Sequence, residues 1–129
     1  MPGEPEKKEV RIFKNAWFQR FSRREKINDE SLKKAISQMQ QGLIDADLGG
    51  NVFKQRIARP GQGKSRGYRT IIFFKEGERA FFVYGFAKSE RKNVDDAEIA
   101  VFKKAAKELL SLSDDQIRQL VENGALTEV

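Results

Sequence analysis

The residues best suited to chemistry are cations concentrated in one stretch of the chain, residues 54–92. This stretch contains eleven lysines and arginines against three glutamates, a net charge of +8 that exceeds the +6 of the whole protein. Phenylalanines and tyrosines are interspersed among the cations, and a glycine-rich segment interrupts them. Basic residues mixed with aromatic residues in this way are typical of a surface that binds a polyanion, above all a nucleic acid.

The glycine-rich segment, ARPGQGKSRGYR, lies between two predicted strands. Its three glycines let the backbone approach a ligand closely, although a solvated surface loop is the alternative interpretation. Its spacing is not that of a GxxxxGK[ST] phosphate-binding loop, and no helix is predicted to follow it. In an antiparallel sheet its cations converge with those before and after it, and the candidate set is Lys54, Arg56, Arg59, Lys64, Arg66, Arg69, Lys88, Arg91 and Lys92.

Composition excludes several kinds of site. The chain has no cysteine and no histidine, so thiolate chemistry, disulfides and imidazole metal ligands are all excluded. Asp45 and Asp47 are the nearest approach to a carboxylate metal site, but isolated loop aspartates are more often solvated turn residues. We therefore predict neither a metal nor a cofactor.

Cleavage of RNA is possible without those groups, because the substrate supplies its own 2′-hydroxyl nucleophile. Arginine binds phosphate bidentately, and a lysine crowded by other cations has a lowered pKa and can accept a proton. Tyr68 or Tyr84 is a candidate for proton transfer or for stacking on a base.

The length of 129 residues fits one domain, which we predict over residues 9–129 after a disordered tail at residues 1–8. No apolar run approaches the roughly 20 residues that cross a bilayer, and the N-terminus lacks the apolar core of a signal peptide. We therefore expect a cytoplasmic protein without a membrane partner.

Hydrophobic periodicity predicts the elements before the glycine-rich segment. A short strand near residues 10–13 and a short helix at residues 17–21 precede a helix that is capped by Asn28 or Asp29 and continues to Leu43. Residues 45–51 read as a loop, DADLGGN. The strand expected at residues 52–59 directs Phe53 and Ile57 to the core and sends Lys54, Arg56 and Ala58 to the opposite face.

The elements after that segment have stronger signals. Two apolar runs, residues 68–75 and 79–86, flank a turn and predict a central hairpin. Capping boxes at Asp95/Glu98 and Ser113/Gln116 begin two helices, the second ending at Gly124. The predicted class is α+β, a small antiparallel sheet packed by N-terminal helices and a C-terminal helix pair.

The run VFKQRIARPGQGKSRGYRTIIFFKEGERAFFVYGFAKSER resembles RelE/HigB-type toxins of bacterial toxin-antitoxin modules. The glycine-rich GKSRGYR loop and the strand end GFAKSE point to the HigB-like branch, and the resemblance covers residues 10–110, with its most specific part at residues 52–91. It implies a fold like that of the microbial RNases and cleavage of mRNA in the ribosome. It also implies neutralisation by a cognate antitoxin, often of the helix-turn-helix type.

Carried over to this sequence, the resemblance implies two groups of site residues. The implied catalytic residues are Lys54, Arg56, Lys64 and Arg69, with Arg69 clamping phosphate. The implied RNA- or ribosome-binding residues are Arg59, Arg66, Tyr68, Phe86, Lys88, Arg91 and Lys92. Some RelE toxins have a catalytic tyrosine near the C-terminus, whereas this chain ends in LTEV, so the general acid and base stay unassigned.

Alternative interpretations remain for single residues and for the whole protein. Arg69 has a structural alternative, pairing with a buried carboxylate, and Phe86 is equally suited to the core. For the whole protein, the alternatives are a ParE-like toxin acting on DNA gyrase and a non-enzymatic nucleic-acid-binding regulator. Residues 93–129 contain four basic and eight acidic residues, so we expect them to face away from RNA.

Overall fold

The structure is a computed structural model that describes residues 9–58 and 67–129. Within these ranges six strands form a single sheet in the order β2-β3-β4-β5-β1-β6, accompanied by four helices. In chain order the elements are β1 (Arg11–Asn15), α1 (Ala16–Arg24), α2 (Asp29–Gln40), β2 (Ala46–Gly49), β3 (Val52–Ile57), β4 (Tyr68–Lys75), β5 (Arg79–Ala87), α3 (Asp96–Leu110), α4 (Asp114–Glu122) and β6 (Leu126–Glu128).

The sheet separates two apolar cores. On its back face, α1 and α2 pack over the sheet in a cluster that includes Phe18, Leu32 and Phe82. On its front face, α3 and α4 pack over a second cluster that includes Phe73 and Phe81. Both β4 and β5 contribute to the two cores, which explains why their sequences are apolar at nearly every position.

The predicted α+β class is confirmed, and so are the central hairpin and both capping boxes. The hairpin turn contains Gly77 at φ +77°, a conformation that other residues rarely adopt. Alternation along β3 is confirmed as well. Phe53 and Ile57 lie against the back core, whereas Lys54 and Arg56 share the front face with Val52.

Two segments that were not predicted as strands form strands in the structure. Part of the expected loop at residues 45–51 forms β2, which pairs with β3, and the C-terminal residues form β6, which pairs with β1. Both strands are four residues or fewer, too short for a periodic pattern, and tertiary pairing decides their conformation. Leu43, predicted to extend the second helix, is 60% exposed because α2 ends at Gln40 and Gly42 takes φ +86°.

An irregularity in β5 directs its side chains. Ile71 pairs with Tyr84 but Ile72 pairs with Phe82, so Val83 is an extra residue opposite β4. As a result Val83 and Tyr84 both contact the front core. The Asn15 side-chain amide donates to the Val83 carbonyl (3.1 Å), which ties the end of β1 to this irregularity.

Candidate nucleic-acid interface

The predicted cations of β3 and β4 meet on the front face of the sheet. Arg56 pairs with Arg69, and Arg69 pairs with Phe86, so these three residues form one row across β3, β4 and β5. Lys54, Ile71 and Tyr84 form the next row. The two rows lie at the end of the sheet where β3 ends and β4 begins, and we call them the basic end of the front face.

Arg69 is the cation that has the fewest partners at the basic end. Within the described residues it forms no salt bridge, and its buried Nη1 atom has no hydrogen-bond partner. The buried carboxylate considered for it is therefore absent from that part of the chain. Two like charges facing each other on neighbouring strands, Arg56 and Arg69, also cost stability. Asp45 neutralises part of the charge of Arg56, and an anion bound beside Arg69 would offset the remainder.

Arg56 is held by Asp45, the aspartate that precedes β2. One carboxylate oxygen of Asp45 accepts from the Arg56 backbone N–H (2.6 Å) and the other from Nη2 (3.2 Å). Gln55 is 1% exposed and holds the same segment by accepting from the Asp45 N–H and donating to the Leu43 carbonyl. Asp45 thus positions an arginine, and Asp47 accepts from the Gly49 N–H within β2, where the register with β3 shifts.

Lys54 connects the sheet to the segment after β5. Its Nζ donates to the Asn93 side-chain oxygen (3.1 Å), which also accepts from the Val94 N–H. The Asn93 backbone carbonyl accepts from Nε of Arg91 (2.9 Å). Lys88 and Lys92 are exposed near the same end. Cations from β3 and from the segment after β5 therefore converge, as an antiparallel sheet requires.

Arg91 is fully engaged, in contrast to Arg69. Its guanidinium forms a bidentate pair with Glu98 (2.6 and 3.0 Å), donates to the Tyr84 hydroxyl, and lies over the rings of Tyr84 and Phe86. The hydrogen bond from Arg91, aided by the Asp95 backbone N–H, lowers the pKa of Glu98 to about 2, and the same pair raises the pKa of Arg91. Part of the positive charge of residues 88–92 is thus neutralised locally.

Tyr68 and Phe86, which were predicted to contact RNA or the ribosome, are both buried in the protein. Tyr68 is 2% exposed in the back core, and its hydroxyl donates to Glu25 (3.1 Å). Its side chain is therefore on the face opposite Arg56 and Arg69, because successive strand residues alternate. Phe86 does lie on the front face, but it is 3% exposed beneath Arg91, which favours the core interpretation. A base stacking on Phe86 would first have to displace Arg91.

Three predicted residues, Arg59, Lys64 and Arg66, lie outside the described residues. Their roles stay predictions from the sequence and the resemblance.

The site also contains residues that were not predicted from the sequence to take part in it. Trp17 of α1 packs on Tyr84 (ring centroids 4.6 Å apart), and Phe102 of α3 lies 6.0 Å from the same ring. Glu98 was assigned to a capping box, which it forms, and the same carboxylate also binds Arg91. The capping motif offered no sign of the second role, because that role depends on the return of the chain after β5.

The basic end can bind a phosphate and stabilise charge that develops on it. Arg56 and Arg69 are hydrogen-bond donors that are always positively charged, and Lys54 is a donor that ordinarily is. Among the described residues no group of three or more acidic side chains is arranged to hold a metal ion. None of the helices in the same ranges has the length and apolar character needed to span a bilayer.

The fold and the site together define a class: a small α+β protein with a cationic sheet face suited to phosphate. The family model described as RelE toxin of RelE / RelB toxin-antitoxin system matches residues 10–129. Since this match spans nearly the whole chain, the protein belongs to the RelE toxin family. A search of curated proteins returned no match.

Family membership gives the protein the role of the toxin in a toxin-antitoxin pair and implies an antitoxin partner. The match is to the RelE family as a whole and does not distinguish the HigB-like branch.

Proposed function

We propose that this toxin is an endoribonuclease that cleaves mRNA on the ribosome by a metal-independent mechanism based on lysine and arginine. The observation that carries the proposal is the pairing of Arg56 with Arg69, in which the buried Nη1 of Arg69 has no partner among the described residues. A scissile phosphate bound by Arg69 would give that nitrogen a partner once the guanidinium turns toward it, and would offset the positive charges that face each other on β3 and β4.

In the proposed reaction the 2′-hydroxyl oxygen attacks the adjacent phosphorus, and the bond from phosphorus to the 5′ oxygen breaks. The products are a 2′,3′-cyclic phosphate and a 5′-hydroxyl. One proton leaves the 2′-hydroxyl and one is delivered to the departing 5′ oxygen, so the step needs no oxidant, reductant or metal. Arg69 and Arg56 stabilise the negative charge of the pentacovalent phosphate, and Lys54 adds charge from the neighbouring row.

We propose that cleavage depends on the ribosome for two reasons. The resemblance to RelE/HigB-type toxins implies it, and the described residues at the basic end provide charge and orientation without an evident acid–base pair. Lys64 and Lys54, both assigned from the resemblance, are the candidates for proton transfer from the protein.

The test is in vitro translation of a defined mRNA, with primer extension to locate cuts. Arg69→Met should lower the cleavage rate by about 10²- to 10³-fold, the effect of removing one oxyanion-stabilising donor. Arg69→Lys keeps the charge but loses the planar fork, and we expect it to restore little of that rate. Lys64→Ala tests the residue assigned from the resemblance.

Arg118→Met is the matched control, because Arg118 is an arginine of α4 with a side chain 65% exposed in surface ion pairs that contribute little. It should cleave at the wild-type rate. Intact mRNA with the wild-type toxin, with and without ribosomes, would overturn the proposal. A DNA supercoiling assay with gyrase would then decide whether the target is that of a ParE-like toxin.

A further inference from the structure

Lys54 is held in place by an amide rather than by a carboxylate. Its Nζ donates to the side-chain oxygen of Asn93 (3.1 Å), and it forms no salt bridge with any described residue. Arg56, two residues further along the same strand, pairs with Asp45 (3.2 Å), which neutralises part of its charge. An amide oxygen accepts a hydrogen bond without adding a negative charge, so Lys54 keeps its full charge while its position is restricted.

Asn93 is itself fixed by its neighbours. Its side-chain oxygen also accepts from the Val94 N–H (2.9 Å), and its backbone carbonyl accepts from Nε of Arg91 (2.9 Å). Arg91 is bound bidentately by Glu98, the capping-box glutamate of α3, and Val94 is buried in the front core. The acceptor that Lys54 reaches is therefore anchored to a helix and to the core.

The two donors around the Asn93 side chain determine which end of the amide faces Lys54. The Val94 N–H and the Lys54 ammonium can donate hydrogen bonds but cannot accept them, so the oxygen of the amide must face both. An aspartate has the same shape and would accept the same two hydrogen bonds. It would differ from asparagine by a full negative charge beside the lysine.

Lys54 needs such an anchor more than the arginines do. A lysine side chain is long and flexible, and it loses rotamer freedom when its ammonium is brought to a fixed point. If Asn93 restricts it beforehand, that freedom is not lost when a phosphate binds in the neighbouring row of Arg56 and Arg69. The ammonium has three N–H groups, so the hydrogen bond to Asn93 leaves others for the phosphate.

We propose that Asn93 is a positioning residue of the cleavage site, which holds the Lys54 ammonium beside the phosphate that binds to Arg69 and Arg56. This inference rests on the proposed function. Asn93 acts through Lys54 and does not itself touch the reacting atoms. The neutral amide is essential to this role, because a carboxylate in its place would offset the charge that Lys54 supplies to the pentacovalent phosphate.

The experiment compares the wild type with Asn93→Asp, Lys54→Met and the double variant Lys54→Met/Asn93→Asp. The rate of mRNA cleavage on ribosomes is measured in single turnovers with saturating toxin, so differences in ribosome affinity do not enter. The matched control is Asn123→Asp, because Asn123 is also exposed and its side-chain oxygen also accepts a backbone N–H, that of Ala125 (2.9 Å). Urea denaturation of each variant verifies that the fold is intact.

Asn93→Asp should lower the cleavage rate roughly tenfold, a part of the 10²- to 10³-fold that the loss of one charge-stabilising donor costs. Lys54→Met should lower it further. In the Lys54→Met background, Asn93→Asp should change the rate by no more than about twofold, because both substitutions act on one interaction. The Asn123→Asp control should cleave at the wild-type rate.

A purely structural role for Asn93 predicts a different outcome. Aspartate accepts a backbone N–H about as well as asparagine does, so Asn93→Asp would then cleave like the Asn123→Asp control. That result, additive losses in the double variant, or wild-type cleavage by Lys54→Met would each overturn the positioning role while the proposed function stands. A wild-type toxin that leaves mRNA intact on ribosomes would instead refute the proposed function, and the positioning role with it.

Discussion

The front face of the sheet has two ends that are built from the same three strands and covered in different ways. At one end Val52, Phe73 and Phe81 form a row that is at most 2% exposed, and α3 packs over it through Phe102. At the other end the corresponding row is Arg56, Arg69 and Phe86. The same β3 and β4 thus stabilise the fold at one end and present cations at the other.

Burial and charge are thus separated along the strands rather than between the two faces of the sheet. The apolar end gains stability from buried area, about 25 cal/mol per Å². The basic end accepts a like-charge pair and an unpartnered nitrogen, both of which cost stability. Strain of this kind concentrates at functional sites and is offset by the remainder of the fold.

The strongest way to break the apolar end is Phe81→Ala. Phe81 is fully buried and stacks on Phe13 with ring centroids 5.3 Å apart. The cavity should lower the free energy of unfolding by about 3–5 kcal/mol, measured by urea denaturation. Phe81→Leu, which retains most of the apolar volume, should cost distinctly less. Similar losses for the two variants would mean that this row is not tightly packed.

At the basic end, Arg69→Met should change the free energy of unfolding in the direction opposite to Phe81→Ala. It removes the charge opposed to Arg56 and the buried nitrogen that lacks a partner, so we expect the free energy of unfolding to rise by roughly 1 kcal/mol. The same urea experiment measures it, with Arg118→Met as the control. A clear loss of stability would indicate that Arg69 serves the fold, contrary to its assignment to phosphate.

The smallest effect sharpens the contrast between Arg69 and Arg91. Because the pKa of Glu98 falls from its ordinary value of 4.5 to about 2 in the folded protein, its pair with Arg91 stabilises the fold above pH 4.5. That contribution is lost as the pH falls through about 2. In Glu98→Gln the thermal midpoint should be lower at neutral pH and should fall less on acidification than in the wild type.

Asp114, whose pKa Arg79 also lowers, titrates in both proteins, so it cancels in the comparison of Glu98→Gln with the wild type. Curves that stay parallel from pH 6 to pH 2 would show that the Arg91 pair contributes nothing measurable.

Much of the fold could be predicted because local signals agreed with one another. Capping boxes at Asp95 and Ser113 mark both C-terminal helices, and the apolar runs on either side of Gly77 mark the central hairpin. Alternation along β3 correctly placed Lys54 and Arg56 together. What escaped prediction was β2 and β6, because strands this short are held by their neighbours and not by their own pattern.

The candidate site was less predictable, because it depends on which strands become neighbours and in what register. The sequence named Arg56 and Arg69, but only the pairing of β3 with β4 places them opposite each other. Tyr68 illustrates the same dependence. It was predicted to contact RNA or the ribosome, but the alternation of side chains along β4 places it in the back core. Arg91 contacts Glu98, and Trp17 contacts Tyr84. Both contacts join different segments of the chain, and the hydrophobic period within one segment cannot predict them.

Composition and local period are sufficient to predict the α+β class, the concentration of cations in residues 54–92 and the absence of any histidine or cysteine chemistry. Composition does not show which of the cations remain available, because that depends on contacts made in the folded protein. Folding gave Arg91 a carboxylate and left a buried nitrogen of Arg69 without a partner in the described residues. The surroundings of each charge are supplied by distant parts of the chain.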